Sequence, residues 1–144
     1  MLYKERPTDF NSLMEAVGCF MEYRGEILLL QKRKGHSRGG LWGFPSGKIE
    51  ERDGSPLLAM IRETSEETGF AASPEILKVL PTVYVRYPEK DFVYYMFSLV
   101  LGEKIEVVLD QREHQDYKWI SPRGALNLLL RPDTDSCIKL VYRI

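Results

Sequence analysis

The chain has 144 residues, with 20 Lys and Arg set against 21 Asp and Glu. That length suits one domain spanning residues 1–144, and a composition of 44% hydrophobic and 28% charged residues excludes disorder and fibrous repeats. A net charge of -1 supplies no field for long nucleic acid or an anionic membrane, and the two cysteines, Cys19 and Cys137, form neither a metal-ligand spacing nor a disulfide framework.

The amino terminus lacks the apolar core of a secretion signal, and the longest nearly apolar stretch, Phe92 to Leu101, is too short to cross a bilayer. A soluble, cytoplasmic protein is the expectation. Val17–Tyr23 and Ile27–Gln31 read as a hairpin around Arg24-Gly25-Glu26. A basic, glycine-rich loop follows over residues 32–40, then a short aromatic segment, Leu41-Trp42-Gly43-Phe44, closed by Pro45. Ser55 as N-cap, Pro56 at the first helical position and Gly69 as the stop frame a helix over about residues 56–68. Ile76–Leu101 reads as two strand-like runs around a turn at Pro88–Asp91, and Ile105–Leu109 and Tyr117–Ile120 as further strands. Ser121-Pro122 opens a second helix running through Ala125–Leu130, and a third spans Asp133–Tyr142, capped by Thr134 or Asp135. Strands mixed with helices on this scale give an α/β or α+β fold.

The first helix carries the chemistry. At 100° per residue Glu63, Glu66 and Glu67 share an arc of about 100°, with Leu57, Leu58, Ile61, Thr64 and Thr68 on the other side. An amphipathic surface helix would also look like this, but Glu66 and Glu67 sit in the last turn, where the macrodipole penalises each carboxylate by about 0.3–1 kcal/mol. Arg62 precedes Glu66 in the weaker orientation for an i, i+4 pair. A divalent cation would offset both costs. Hard oxygen ligands without His or Cys select Mg²⁺ or Mn²⁺, ions commonly shared with substrate phosphates.

Gly47 through Phe70, with Arg62-Glu63-Thr64-Ser65-Glu66-Glu67-Thr68-Gly69 at its core, resembles the Nudix box, G-x5-E-x7-R-E-U-x-E-E-x-G-U, where U is bulky and aliphatic. Leu41–Lys48 resembles the strand leading into that box. There are departures. Fourteen residues, 48–61, separate Gly47 from Arg62 where the family has thirteen, so the first box glutamate aligns loosely to Asp53 or Gly54. Thr64 replaces a bulky aliphatic residue, and Ser46 a frequent glycine.

The resemblance implies a Nudix-like α/β/α sandwich with a mixed β-sheet between helices, and hydrolysis of a pyrophosphate bond in a nucleoside diphosphate linked to another moiety, with Mg²⁺ or Mn²⁺. It implies metal ligation by Glu63, Glu67 and Glu66, with the Gly47 carbonyl, and orientation of the glutamates by Arg62. The general base is Glu63 or Glu113, two positions between which the family varies. His114 reads as an exposed loop residue rather than a proton shuttle. Lys32, Arg33, Lys34, His36 and Arg38 cluster in one loop. Arg33, Lys34, Arg38 and, beside the box, Lys48 are the candidate phosphate contacts. Trp42, Phe44, Tyr84, Tyr87, Phe92 and Tyr95 read as packing residues rather than base-stacking ones.

A nucleoside triphosphate is the leading substrate, with dinucleoside polyphosphates, nucleotide sugars and an RNA 5′ end as alternatives, since the box does not read the leaving group. A non-catalytic nucleotide sensor of the same family is a rival that the intact glutamates disfavour. An acidic-helix interaction protein would require the box to be a coincidence. Family proteins of this size are often dimers, so a homodimer is the expected assembly.

Overall fold

In a computed structural model covering residues 1–144, the strands are β1 (Leu2–Tyr3), β2 (Ser12–Tyr23), β3 (Glu26–Lys32), β4 (Trp42–Gly43), β5 (Ser46–Lys48), β6 (Lys78–Val79), β7 (Val83–Arg86), β8 (Asp91–Val100) and β9 (His114–Ile120). The helices are α1 (Pro56–Thr68), α2 (Pro122–Ala125) and α3 (Thr134–Tyr142).

The two longest strands organise the sheet. β2 and β8 run parallel from Ser12↔Asp91 to Glu22↔Val100. β7 and β6 both pair antiparallel with β8, separated by a break at Leu80-Pro81-Thr82, where proline interrupts the ladder. On the other side β2 turns into β3 through Arg24 and Gly25, both at positive φ (47° and 80°), as a two-residue hairpin turn demands. Away from that turn β5 takes β3's place beside β2, with Val17 opposite Gly47, while β3 pairs with β4 and β9. The sheet is therefore mixed, and it splays where the β4–β5 segment enters.

Alternation along the central strands sends residues to two cores. Ala16, Phe20, Ile27 and Leu29 face Phe44, Val85, Cys137 and Ile138 beneath α3, whereas Val17, Cys19, Met21, Leu28 and Leu30 face Ala59 and Met60 of α1. Helices thus cover both faces of a mixed sheet, the α/β/α arrangement expected. No helix is long and apolar enough to cross a membrane.

Helix α1 matches the expected limits. Ser55 Oγ accepts the Leu58 N–H at 3.1 Å, and Gly69 at φ 79° returns its N–H to the Ser65 carbonyl. Its expected apolar side packs inward at Leu57, Ile61, Thr64 and Thr68, but burial reaches further round the helix. Leu58 is exposed, while Met60, Thr64 and the two carboxylates Glu63 and Glu67 are buried. Thr64 Oγ1 donates to the carbonyl of Met60 or Ile61, 3.0 Å from each, so a hydroxyl stands in the core without an unmet bond.

Three other expectations are corrected. Ile105–Leu109 forms no strand: it crosses the end of α1, where the Val108 N–H caps the Thr68 carbonyl at 2.8 Å and Val107 is buried. Helix α2 stops at Ala125, because Leu129 and Arg131 are engaged by the Trp42 backbone at 2.8 Å each and Pro132 disfavours helix before it. The residue at the N-cap of α3 is Asp133, in the left-handed region at φ 63°, rather than Thr134 or Asp135.

Candidate active site

Strand β5 ends where α1 passes above it, and the approach is close enough to require glycine. A Cβ at Gly47 would fall on the Glu63 carboxylate. One residue earlier, the Ser46 N–H donates to Glu67 Oε1 at 2.9 Å. The carboxylates on α1 are thus seated against the β5 backbone.

Arg62 anchors the other side of this cluster. Its guanidinium grips Asp53 in a two-point contact at 2.7 and 2.9 Å, and also donates to Glu63 at 2.9 Å, to Glu66 at 3.2 Å and to the Lys48 carbonyl at 3.1 Å. Asp53 closes a single 3₁₀ turn, Glu51–Asp53, and itself accepts the Glu50 N–H at 2.7 Å. The Arg62 hydrogen bond holds the Asp53 carboxyl down near about 2, well below its ordinary value. Asp53, rather than Gly54, therefore provides the acidic partner that the loosely aligned box position leaves open.

Glu63 and Glu67 are pushed the other way. Burial raises Glu63 to about 7 against the pull of Arg62, and raises Glu67 to about 8 against the Ser46 N–H and the charge of Arg131. Glu113 comes from the turn before β9, which is tied down by bonds from the Glu113 and His114 N–H groups to the Asp110 carbonyl and from the Arg33 N–H to the Glu113 carbonyl. Glu67, Glu113 and His114 each offer a ligand atom, all within 4.8 Å of one another.

His114 corrects the expectation of an exposed residue. It is the first residue of β9, 1% exposed, and its Nδ1 is buried without a hydrogen-bond partner. Burial, reinforced by Arg131 and Lys32, drives its pKa down to about 4, so it is neutral at pH 7.

The carboxylates line one end of a cleft of about 530 Å³, inside the usual range for small-molecule sites. Glu63, Glu66, Glu67, Glu113, Arg62, Gly47, Lys48, Lys32 and Arg38 all border it. The other end is walled by Phe44, Val85, Tyr87, Phe92 and Tyr94, with Arg131, Asp133 and Thr134 supplying polar groups. Of the aromatic residues read as packing, Phe44, Tyr87 and Phe92 thus also face the cleft, whereas Tyr84 packs edge-on against Phe10 and the Tyr95 hydroxyl bonds Glu15.

Two expected phosphate contacts lie elsewhere. Arg33 donates to the Gln111 carbonyl, and Lys34 follows it out of the cleft with its N–H on Gln115. Arg33 therefore braces the turn that presents Glu113. Arg131, Asp133 and Asp110 line the cleft without having been singled out as site residues, since none belongs to a motif and Asp133 is expected from the sequence only as the start of the third helix.

The carboxylates gathered at one end and a backbone approach that only glycine permits suit a hard divalent cation, while the buried His114 nitrogen without a protein partner adds a softer donor to the set expected from the glutamates alone.

Comparison with known proteins agrees with this geometry. The NUDIX domain family model matches residues 12–141. The CTP pyrophosphohydrolase of Escherichia coli (strain K12) is 31% identical over 122 residues, covering 83% of this chain and 84% of that protein. The asymmetrical bis(5'-nucleosyl)-tetraphosphatase of Sus scrofa is 33% identical over 108 residues, covering 72% and 69%. Among solved structures, the solution structure of the E. coli ORF135 protein superposes with a TM-score of 0.74 at 25% identity, covering 92% of this chain and 90% of the other. The chain belongs to the Nudix family and is a Nudix hydrolase.

Proposed function

We propose that the chain is a nucleoside triphosphate pyrophosphohydrolase using Mg²⁺ or Mn²⁺. The observation that carries this reading is a single cleft with carboxylates at one end and an aromatic, hydrogen-bonding wall at the other, sized for one nucleotide. The 31% identity to a CTP pyrophosphohydrolase over most of both chains supports it.

Glu63 and Glu67, with Glu66 and the Gly47 carbonyl, are the groups that would hold the cation. A divalent ion there supplies charge for the phosphoryl oxygens and a more acidic water. Arg62 keeps Glu63 and Glu66 in place through its anchor on Asp53. Lys32 and Lys48 border the cleft as cations and neutralise the phosphate chain, whereas Arg38, stacked on the Tyr87 ring at 4.7 Å and paired with Glu89 at 3.7 Å, stands at the aromatic end. Glu113 serves as general base: it is exposed and makes no side-chain hydrogen bond to protein, whereas Glu63 is engaged by Arg62.

The test is hydrolysis by the pure protein with Mg²⁺ or Mn²⁺ of nucleoside triphosphates, dinucleoside polyphosphates, nucleotide sugars and 5′-triphosphate RNA, with products separated by chromatography. Preferred cleavage of a triphosphate to monophosphate and pyrophosphate is expected. Preference for another member of the panel reassigns the substrate, and binding without cleavage makes the protein a sensor.

A further inference from the structure

Arg131 stands between the two ends of the cleft and has no part in the carboxylate motif. Its backbone N–H donates to the Trp42 carbonyl at 2.8 Å, and its Nη2 donates to the Phe44 carbonyl at 2.9 Å and to Ser46 Oγ at 3.2 Å. Nε and Nη1 bond no protein atom, and no carboxylate pairs with the guanidinium. Neither nitrogen is fully buried, and Arg131 borders the cleft. The charge disfavours proton retention by Glu67 on one side and by Tyr87 and Tyr94 on the other, which places it at the junction of the acidic and aromatic ends.

Two neighbouring residues make room for it. A Cβ at Gly43 would strike Nε, Cζ and Nη2 of Arg131. Ser46, at a position where the family frequently has glycine, supplies the hydroxyl that Nη2 meets. Tying the loop to β4 and β5 needs only one donor on Nη2. A half-buried guanidinium without a counter-ion is a costly way to supply it unless the remaining donors meet an anion.

We propose that Arg131 binds the phosphate that joins the nucleoside to the rest of the substrate, through the donors left free when Nη2 is fixed by Phe44 and Ser46. This rests on the hydrolase reading above. The phosphates beyond that point lie toward the carboxylates and the cation, and the nucleoside lies toward Tyr87, Phe92 and Tyr94. A planar fork of N–H donors matches a phosphate at this position.

The experiment measures kcat and KM on the triphosphate that the wild type cleaves best, with inhibition constants for the matching nucleoside monophosphate and for pyrophosphate. For Arg131→Gln, KM and the monophosphate constant rise together by about tenfold or more, the size of a lost charge-assisted contact, while the pyrophosphate constant moves by less than about twofold. Arg131→Lys recovers part of the loss. Gly43→Ala, which keeps the arginine but expels it from its seat, reproduces the selective loss of monophosphate. Unchanged constants overturn the proposal, as does equal weakening of both inhibitors, the sign of a structural role, or weakening of pyrophosphate alone. If the wild type cleaves no nucleotide, the hydrolase reading fails and this proposal falls with it. If cleavage is normal and the Gln variant behaves as wild type, only the role of Arg131 falls.

Discussion

Replacing Glu67 with glutamine separates the cost of burying a carboxylate from its use. In the metal-free protein Glu67 is 6% exposed and its pKa is raised by burial to about 8, from 4.5 for a free glutamate. Between those two values the folded chain holds a proton that the unfolded chain has released, so raising the pH through that window removes stability. Each pH unit removes up to about 1.4 kcal/mol for one proton, which sets a ceiling of about 5 kcal/mol across the window. Glutamine can still accept the Ser46 N–H and never ionises. At pH 8 the metal-free Glu67→Gln protein is therefore expected to be more stable than wild type by on the order of 1–3 kcal/mol, about 3–10 °C in Tm for a chain of this size. The assay is a thermal melt of both proteins at half-unit steps from pH 5 to 9, with and without Mn²⁺. Wild-type Tm falls with rising pH and the variant's falls less. Mn²⁺ reverses the ranking, because only the wild type offers the full set of ligands, and turnover in the variant drops by at least about a thousandfold. A metal-free variant that melts below wild type at pH 8, or an equal Mn²⁺ shift in both proteins, refutes the argument.

Gly47→Ala puts a methyl group on the Glu63 carboxylate, so kcat should fall by at least about a hundredfold and the cation-induced Tm shift should shrink, with the circular dichroism spectrum retained. Met60→Ala should cost about 2–4 kcal/mol in urea denaturation, as a fully buried side chain does. Leu58→Ala on the same helix should change stability by less than about 0.5 kcal/mol, and an equal cost for both would mean that α1 is rotated about its axis. Asp53→Asn removes the charged anchor of Arg62. It should lower kcat more than it raises KM, and should abolish the wild-type stability term that is present above about pH 4 and lost as pH falls toward about 2.

What could be read from the chain was whatever is encoded locally. Ser55-Pro56 and Gly69 delimit α1 through contacts within one or two turns, and Arg24-Gly25 specifies its hairpin by φ alone. Where a partner lies far along the chain, composition misleads. Ile105–Leu109 has strand chemistry yet caps the end of α1, and His114 sits in a polar run yet is buried by its pairing opposite Lys32. The same limit governs the site. Three glutamates at i, i+3 and i+4 announce themselves, whereas Arg131 becomes visible only when β4, β5 and the loop before α3 meet. Arg33, the more conspicuous arginine, proves to brace a turn.

Helical periodicity alone would turn the carboxylates of α1 outward, and here it is overridden for a physical reason. Glu63 and Glu67 share their side of the helix with Met60 and Thr64, so turning the carboxylates to solvent would also expose the methionine that fills the core. Burial of the acids is accepted because the Ser46 N–H donates to Glu67 and the Arg62 guanidinium donates to Glu63. Arg62 is held in turn by Asp53, and this shows where the one extra residue of the preceding loop is accommodated. The 3₁₀ turn Glu51–Asp53, closed by Gly54 at φ 80°, takes up the added length and delivers a carboxylate to the arginine. The spacing in that loop is free to vary so long as an acid reaches Arg62. The spacing from Arg62 to Gly69 is not, because there the helix itself sets which carboxylates meet Gly47 and Ser46.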